Sequence, residues 1–195
     1  MSIKVELFPL MGACLDGRTI RLGDTKADVE RALGRPLGRM ESAVRISEEE
    51  LSALLGGSEE DLPAGPHWFY HKNELRVDFD PQGRVEFIEL LGGPEGTLQP
   101  ILDGLELFQA PPEAVYDLLK EKNHGPMELG INCYCCVFLN LELGVYRDSV
   151  PEDVTELIWE AKDKGHPLTP EQIDCENDRT RWAAVGLGTK GYYTA

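Results

Sequence analysis

The stretch that most constrains the fold is residues 20–36, because it carries a complete set of helix signals. Thr25 and Asp28 have the three-residue spacing of a capping box, in which each side chain accepts a hydrogen bond from the other residue's backbone N–H. Gly34 tolerates the left-handed conformation that often ends a helix, and Pro36 cannot continue the helical turn. We therefore predict a short helix that is capped by Asp24 or Thr25 and ends at Gly34.

An echo of this stretch appears at residues 108–119. A constant shift places three apolar residues on three others, Leu22 on Phe108, Val29 on Val115 and Leu33 on Leu119. The apolar face of the helix is thus kept, while the polar residues change. The echo predicts two related units, residues 1–94 and residues 95–195, which could also pack as one compact domain.

Alternation of apolar and polar residues in residues 67–91 predicts a three-stranded antiparallel meander. The sequence Asp-Pro-Gln-Gly at 80–83 suits a type I turn between the second and third strands. Further strands are expected at 3–7, 135–139, 141–147 and 182–187, and further helices at 47–55, from 111, from 149 and from 169. The fold class is therefore predicted to be α+β, with two related helix-plus-antiparallel-meander units whose sheets are backed by helices.

Charge excludes some classes of partner. The 195 residues include 19 basic and 35 acidic side chains, which gives a formal charge of −16. Such a field repels nucleic acid and anionic membrane surfaces and favours a basic protein partner. The first residues carry Lys4, Glu6 and Pro9 where a signal peptide needs an apolar run, and the odd number of cysteines, five, fits a reducing compartment. A cytoplasmic protein is expected.

The opening stretch and the meander that follows it carry a resemblance. An apolar-x-x-Gly-x-Thr pattern, an Asp-Val pair and a Leu-Gly-x-Pro ending, followed by antiparallel strands, resemble the unit of the small lipoprotein subunit of the outer-membrane barrel-assembly machinery. The tandem arrangement of two such units resembles the β-lactamase inhibitory proteins. The resemblance implies a small sheet backed by helices that serves protein binding rather than catalysis.

Two acidic clusters flank the helix predicted at 47–55. They consist of Glu48, Glu49 and Glu50 on one side and Glu59, Glu60 and Asp61 on the other. An acidic surface above buried leucines is a reasonable platform for a basic partner, although charge runs are also common on solvated helix faces. We therefore expect a protein-binding protein, and an acidic inhibitor or immunity-type factor for a basic partner is the leading hypothesis.

A cysteine cluster at residues 133–136 suggests a competing function. Cys133 and Cys136 have the spacing of a zinc hairpin, which Cys175, His124 or His166 could complete. The alternative hypothesis is a zinc-binding or thiol-dependent enzyme centred on this cluster. A second cysteine hairpin is missing, however, and the cluster leads into an apolar strand, where a reduced cysteine behaves as a small hydrophobic residue. The histidines are scattered and are expected at the surface, so that no catalytic constellation can be named.

Overall fold

The computed structural model describes residues 2–40, 66–130 and 133–194. Within these residues the chain forms thirteen strands and four α-helices, which confirms the α+β class. The strands are β1 (Ile3–Phe8), β2 (Gly12–Leu15), β3 (Arg18–Arg21), β4 (Gly38–Met40), β5 (His67–Tyr70), β6 (Leu75–Phe79), β7 (Val85–Leu91), β8 (Leu98–Leu102), β9 (Leu105–Glu106), β10 (Met127–Leu129), β11 (Cys135–Phe138), β12 (Leu143–Tyr146) and β13 (Ala184–Gly188). The helices are α1 (Lys26–Leu33), α2 (Pro112–Asn123), α3 (Pro151–Asp163) and α4 (Pro170–Asp178). The helix predicted at 47–55 lies outside the described residues.

The strands form two sheets. The larger sheet has eight antiparallel strands in the order β10-β11-β12-β13-β7-β6-β5-β4, and the smaller has five strands in the order β3-β2-β1-β8-β9. In the smaller sheet β1 pairs with β2 in antiparallel and with β8 in parallel orientation. Both sheets therefore continue across the unit boundary predicted at residues 94 and 95.

Among the described residues, a similar order of elements occurs on both sides of that boundary, apart from β1 in the first half and from α3 and α4, which lie between β12 and β13 in the second. A two-stranded hairpin, a helix and four strands follow one another as β2-β3, α1 and β4 to β7, and then as β8-β9, α2 and β10 to β13. The two sets of four strands meet where β7 pairs with β13. A common repeat of sequence in the two halves remains a prediction, whereas the shared order of elements is a property of the fold.

One face of the larger sheet packs on a single apolar core. Leu75, Val77 and Phe79 of β6 are at most 1% exposed, as predicted for the face that the helices cover. The same core contains Val29 of α1 and Val115 of α2, together with residues of the smaller sheet. The helices α1 and α2 and the smaller sheet thus lie on the same side of the larger sheet.

Helix α1 forms as its sequence predicts. Asp28 N–H donates to Thr25 Oγ1 at 3.3 Å, and Thr25 N–H donates to Asp28 Oδ2 at 3.1 Å, so that the capping box is complete. Gly34 has φ +81°, the left-handed region that glycine adopts without strain. The helix buries Val29 against the core. The capping signals in the sequence and the burial of Val29 therefore both favour this helix.

Helices α3 and α4 form an insertion between β12 and β13 that contributes little to the core. Val154 is the single buried residue of α3, and α4 has none. Leu157 and Trp159 of α3 are 38% and 62% exposed. The apolar side chains of α3 are thus covered only in part. Among the described residues, no helix is long and apolar enough to cross a membrane.

We expect loss of the α1 cap to destabilise the whole protein. Thr25→Ala should lower the free energy of unfolding by about 1 kcal/mol, because the helix whose N-terminus it caps packs on the core. Thr169 caps α4 with the same kind of box, so Thr169→Ala is a matched control. Since α4 buries no residue, we expect a smaller effect there. Urea unfolding monitored by circular dichroism measures both, and an equal loss in the two variants would contradict the prediction.

Candidate functional site

The face of the larger sheet that points away from the core is the candidate site, and we call it the outer face. Its central row crosses all eight strands in register, through Gly38, Phe69, Arg76, Glu89, Gly186, Gly144, Val137 and Glu128. In the described part of the chain, residues 189–194 lie against the middle of this face and α4 lies at one end. These two segments therefore cover the middle and one end of the outer face.

A buried polar network lies on the half of the outer face formed by β5, β6 and β7. Asp78 is 2% exposed, and its carboxylate accepts hydrogen bonds from Arg76 Nε at 2.8 Å and from Arg76 Nη2 at 2.5 Å. His67 Nδ1 lies 2.6 Å from Asp78 Oδ1. Arg76 also donates to Glu89 Oε2 at 3.2 Å. One arginine thus links two carboxylates, and Asp78 joins it to His67.

Burial and charge act against each other in this network. Burial raises the pKa of Glu89, although the neighbouring Arg76 opposes that shift. Burial also acts to lower the pKa of Arg76, but the hydrogen bonds and charge of Asp78 outweigh it, so that the pKa is raised overall. Arg76 therefore stays cationic and holds the buried carboxylates together.

His67 was predicted at the surface, and that prediction is wrong. Its side chain is 5% exposed, because it lies beside Asp78 on the neighbouring strand. Within the described residues, its Nε2 atom has no hydrogen-bond partner. The alternation of β6 contained a signal for this network, since Arg76 and Asp78 occupy the positions between its buried apolar residues. Among the described residues, the hydrogen bonds of this network join His67 to no serine, threonine or cysteine side chain. The network therefore holds no nucleophile that His67 could activate as a general base.

Three glycines form a trough in the middle of the outer face, on β12 and β13. Gly144 pairs with Gly186 in register, and Gly188 follows on the same face of β13. A Cβ atom at Gly144 would lie 2.6 Å from Tyr193 Oη, and one at Gly188 would lie 2.6 Å from Tyr192 Cβ. The glycines therefore make room for two tyrosine rings.

The tyrosine segment, residues 189–194, fills this trough. The rings of Tyr192 and Phe87 are stacked, with centroids 4.5 Å apart and an interplanar angle of 7°. Tyr193 meets the Phe87 ring edge-on at 6.1 Å. Burial raises the pKa of Tyr192 to about 12 and raises that of Tyr193 as well. Both tyrosine hydroxyls therefore stay protonated to a higher pH than the hydroxyl of an exposed tyrosine.

A cleft of about 820 Å³ opens at the α4 end of the outer face. Its floor is a row of outer-face residues in register, Leu91, Ala184 and Tyr146, of which Tyr146 is 46% exposed. The turn at Gly93–Glu95 forms one side and α4 forms the other. An apolar floor, of which Tyr146 is the exposed part, thus lies between two polar walls.

The walls of this acidic cleft carry more negative than positive charge. Five carboxylates line it, Glu95, Asp148, Glu171, Asp174 and Asp178. Of the two arginines there, Arg181 pairs with Asp178 at 3.2 Å, and Arg179 pairs with Glu176 at 3.0 Å. Within the described residues, the other four carboxylates of the cleft form no ion pair. The cleft suits the apolar stem and charged end of a lysine or arginine side chain.

The site residues predicted from sequence have different outcomes. The acidic clusters, Glu48, Glu49, Glu50, Glu59, Glu60 and Asp61, lie outside the described residues, so their role as a platform stays a prediction. Cys133 and Cys136 line one cavity of about 380 Å³ beside α2, together with Arg147 and Trp182. Cys175 lies instead on α4 in the acidic cleft, and His166 is exposed in the turn between α3 and α4.

The structure does not bring the proposed zinc ligands together. Among the described residues, no group of three or more histidine, cysteine, aspartate or glutamate side chains is arranged to hold a metal ion. Cys136 is 2% exposed, and burial raises the pKa of its thiol to about 11. A thiol that is both buried and protonated at neutral pH is a poor nucleophile. The zinc-binding or thiol-dependent alternative centred on Cys133 and Cys136 stays a prediction.

Comparisons of the chain with models of protein families, with curated proteins and with solved structures found no match. The resemblance of residues 20–36 and the meander to envelope and inhibitor proteins consequently stays a prediction.

Alkaline pH should loosen the tyrosine segment. The pKa of Tyr192 is raised from 10.0 to about 12, so the stability that its neutral form contributes is fully present below pH 10. That contribution is lost as the pH rises from about 10 to about 12. Tyr192→Phe keeps the stacked ring and removes the hydroxyl, so we expect this variant to lose less stability than the wild type over that range. Chemical unfolding at several pH values measures the difference, and parallel losses in both proteins would contradict the assignment.

The thiols should differ sharply in reactivity. Cys133 and Cys175 are exposed, so we expect both to react quickly with a thiol-specific reagent at pH 8. Cys136 should react about a hundredfold more slowly, because its pKa rises from 9.0 to about 11 and burial blocks access. Cys133→Ser should therefore remove one fast-reacting thiol, whereas Cys136→Ser should remove none. A fast-reacting thiol that disappears in Cys136→Ser would show that this side chain is accessible.

Proposed function

We propose that this protein is a cytoplasmic, non-enzymatic binding protein that receives a basic segment of another protein in the acidic cleft. An inhibitor or immunity-type factor that neutralises a basic partner fits this mode of binding. The observation that carries the proposal is the combination in one cleft of an apolar floor, of which Tyr146 is exposed, with four carboxylates that form no ion pair among the described residues.

The chemistry of the cleft supports a basic side chain as the bound group. The aliphatic stem of a lysine or arginine would lie on Leu91, Ala184 and Tyr146, and its charged end would reach the carboxylates of α4. The formal charge of −16 adds a long-range attraction that speeds encounter with a basic protein. A phosphate-bearing ligand would meet repulsion in the same place.

The arrangement of the outer face supports protein rather than small-molecule binding. The acidic cleft continues into the outer face through Leu91 and Ala184, which belong to strands at the centre of the sheet. A partner whose basic loop enters the cleft would therefore contact the outer face beyond it. The five free cysteines support a reducing, cytoplasmic compartment.

Charge reversal in the cleft tests the proposal. The protein, immobilised and incubated with a lysate of its native cells, should retain a basic protein that high salt releases, and the dissociation constant of the purified pair can then be measured by calorimetry. Glu171→Lys combined with Asp174→Lys should weaken binding at least about tenfold, because the cation then meets like charge.

The matched control is Glu152→Lys combined with Glu156→Lys. These residues are exposed on α3, and this pair changes the net charge by the same amount without touching the acidic cleft. We expect binding close to that of the wild type. Equal weakening in both double variants would mean that only the overall charge matters, and a wild-type protein that retains no basic partner would refute the proposal.

A further inference from the structure

We propose that the trough on β12 and β13 is a binding site for peptide segments with two adjacent aromatic side chains, and that the tyrosine segment occupies it as a ligand from the same chain. The inference does not depend on the basic partner, because the trough and the acidic cleft are formed by different residues. Its consequence is that the middle of the outer face is closed while the tyrosine segment is bound.

The trough has the composition of a site built around a ligand. Glycine in a strand interior costs roughly 0.5–1 kcal/mol relative to alanine, and it commonly marks a place where a ligand or another backbone approaches closely. Here Gly144, Gly186 and Gly188 lie together in two neighbouring strands. A Cβ at Gly186 would collide with the ring of Phe87, and one at Gly144 would collide with Tyr193. Two neighbouring strands thus carry glycine, which has no side chain, at the positions where the aromatic rings lie.

A carboxylate and a backbone carbonyl hold the backbone of the segment in the trough, and the carbonyl is that of Glu86, which accepts from Thr189 N–H at 2.9 Å. Glu142 Oε1 accepts from Gly191 N–H at 2.6 Å, and Glu142 Oε2 accepts from Tyr193 N–H at 3.3 Å. The backbone N–H groups of Tyr192 and Thr194 donate instead to carbonyl oxygens within the segment. The carboxylate therefore recognises the backbone of the segment, much as a receptor holds the backbone of a bound peptide.

The conformation of Glu142 supports this role. The side chain is 5% exposed, and its backbone has φ +46°, a left-handed conformation that a non-glycine residue adopts at a cost of about 1 kcal/mol or more. Strain of this kind commonly accompanies positions that bind a ligand. The strained turn places the carboxylate at the edge of the trough, where it meets two backbone donors.

Aromatic stacking supplies the specificity for ring-bearing residues. Tyr192 stacks on Phe87, Tyr193 meets the same ring edge-on, and the two tyrosine rings are T-shaped to one another at 5.2 Å. Each such pair adds about 0.5–1.5 kcal/mol beyond the area that it buries. A segment without two neighbouring rings would leave the space above the glycines unfilled.

The test empties the trough in the full chain and refills it from solution. Tyr192→Ala combined with Tyr193→Ala should lower the melting temperature, and a synthetic peptide of residues 189–195 should restore it in a saturable manner at concentrations up to about 1 mM, the effective concentration of a closely tethered segment. A peptide with both tyrosines replaced by alanine should have no effect. Wild-type protein should not respond to either peptide, because its trough is filled.

A control and a second variant keep the result decisive. Tyr146→Ala removes an exposed tyrosine of the same face outside the trough, and the peptide should not raise its melting temperature. If the double variant does not fold, Tyr192→Ala alone vacates the stacking position on Phe87 and should respond to the same peptide. A folded variant whose melting temperature does not change with peptide would overturn the proposal, since the segment would then be an ordinary part of the packed fold.

Discussion

The pairing of β7 with β13 is the interaction on which the rest of the structure depends. It joins two sets of four strands into one sheet, with Gly186 opposite Glu89 and Val185 opposite Leu90. Without it, each half would present a sheet of four strands with an open edge and an incomplete apolar face. Because β7 and β13 both contribute buried residues to the single core, the two halves are stabilised together.

The two faces of the larger sheet have different surroundings. The inner face is covered by α1, α2 and the smaller sheet, so it contributes mainly to stability. The outer face carries the polar network, the trough and the acidic cleft, whose residues contribute little to the core. Since β7 and β13 lie at the centre, Leu91 and Ala184 on these two strands form part of the acidic cleft, while Gly186 and Phe87 on the same strands form part of the trough.

Sequence reasoning succeeded where the structure depends on neighbours along the chain. The capping box of Thr25 and Asp28 and the period-two pattern of β6 are local signals, so α1 and the meander could be predicted. The burial of His67 could not be predicted, because it depends on Asp78 of the adjacent strand and on what covers the outer face. The acidic cleft was missed for a similar reason, since the turn at Gly93–Glu95 and α4 are distant in sequence. The spacing of Cys133 and Cys136 carries no information about the position of Cys175, which lies in a different cavity.

The position of β13 also determines the order in which the larger sheet can fold. In sequence β13 follows β12 only after the insertion that contains α3 and α4, and it is still farther from β7. Contacts between residues so far apart form late and slowly, because the long intervening loop must first be closed. Until β13 arrives, β7 and β12 each expose an unpaired strand edge, the kind of edge that promotes pairing between chains. We therefore expect the insertion to prolong the period in which the half-formed sheet is prone to aggregation.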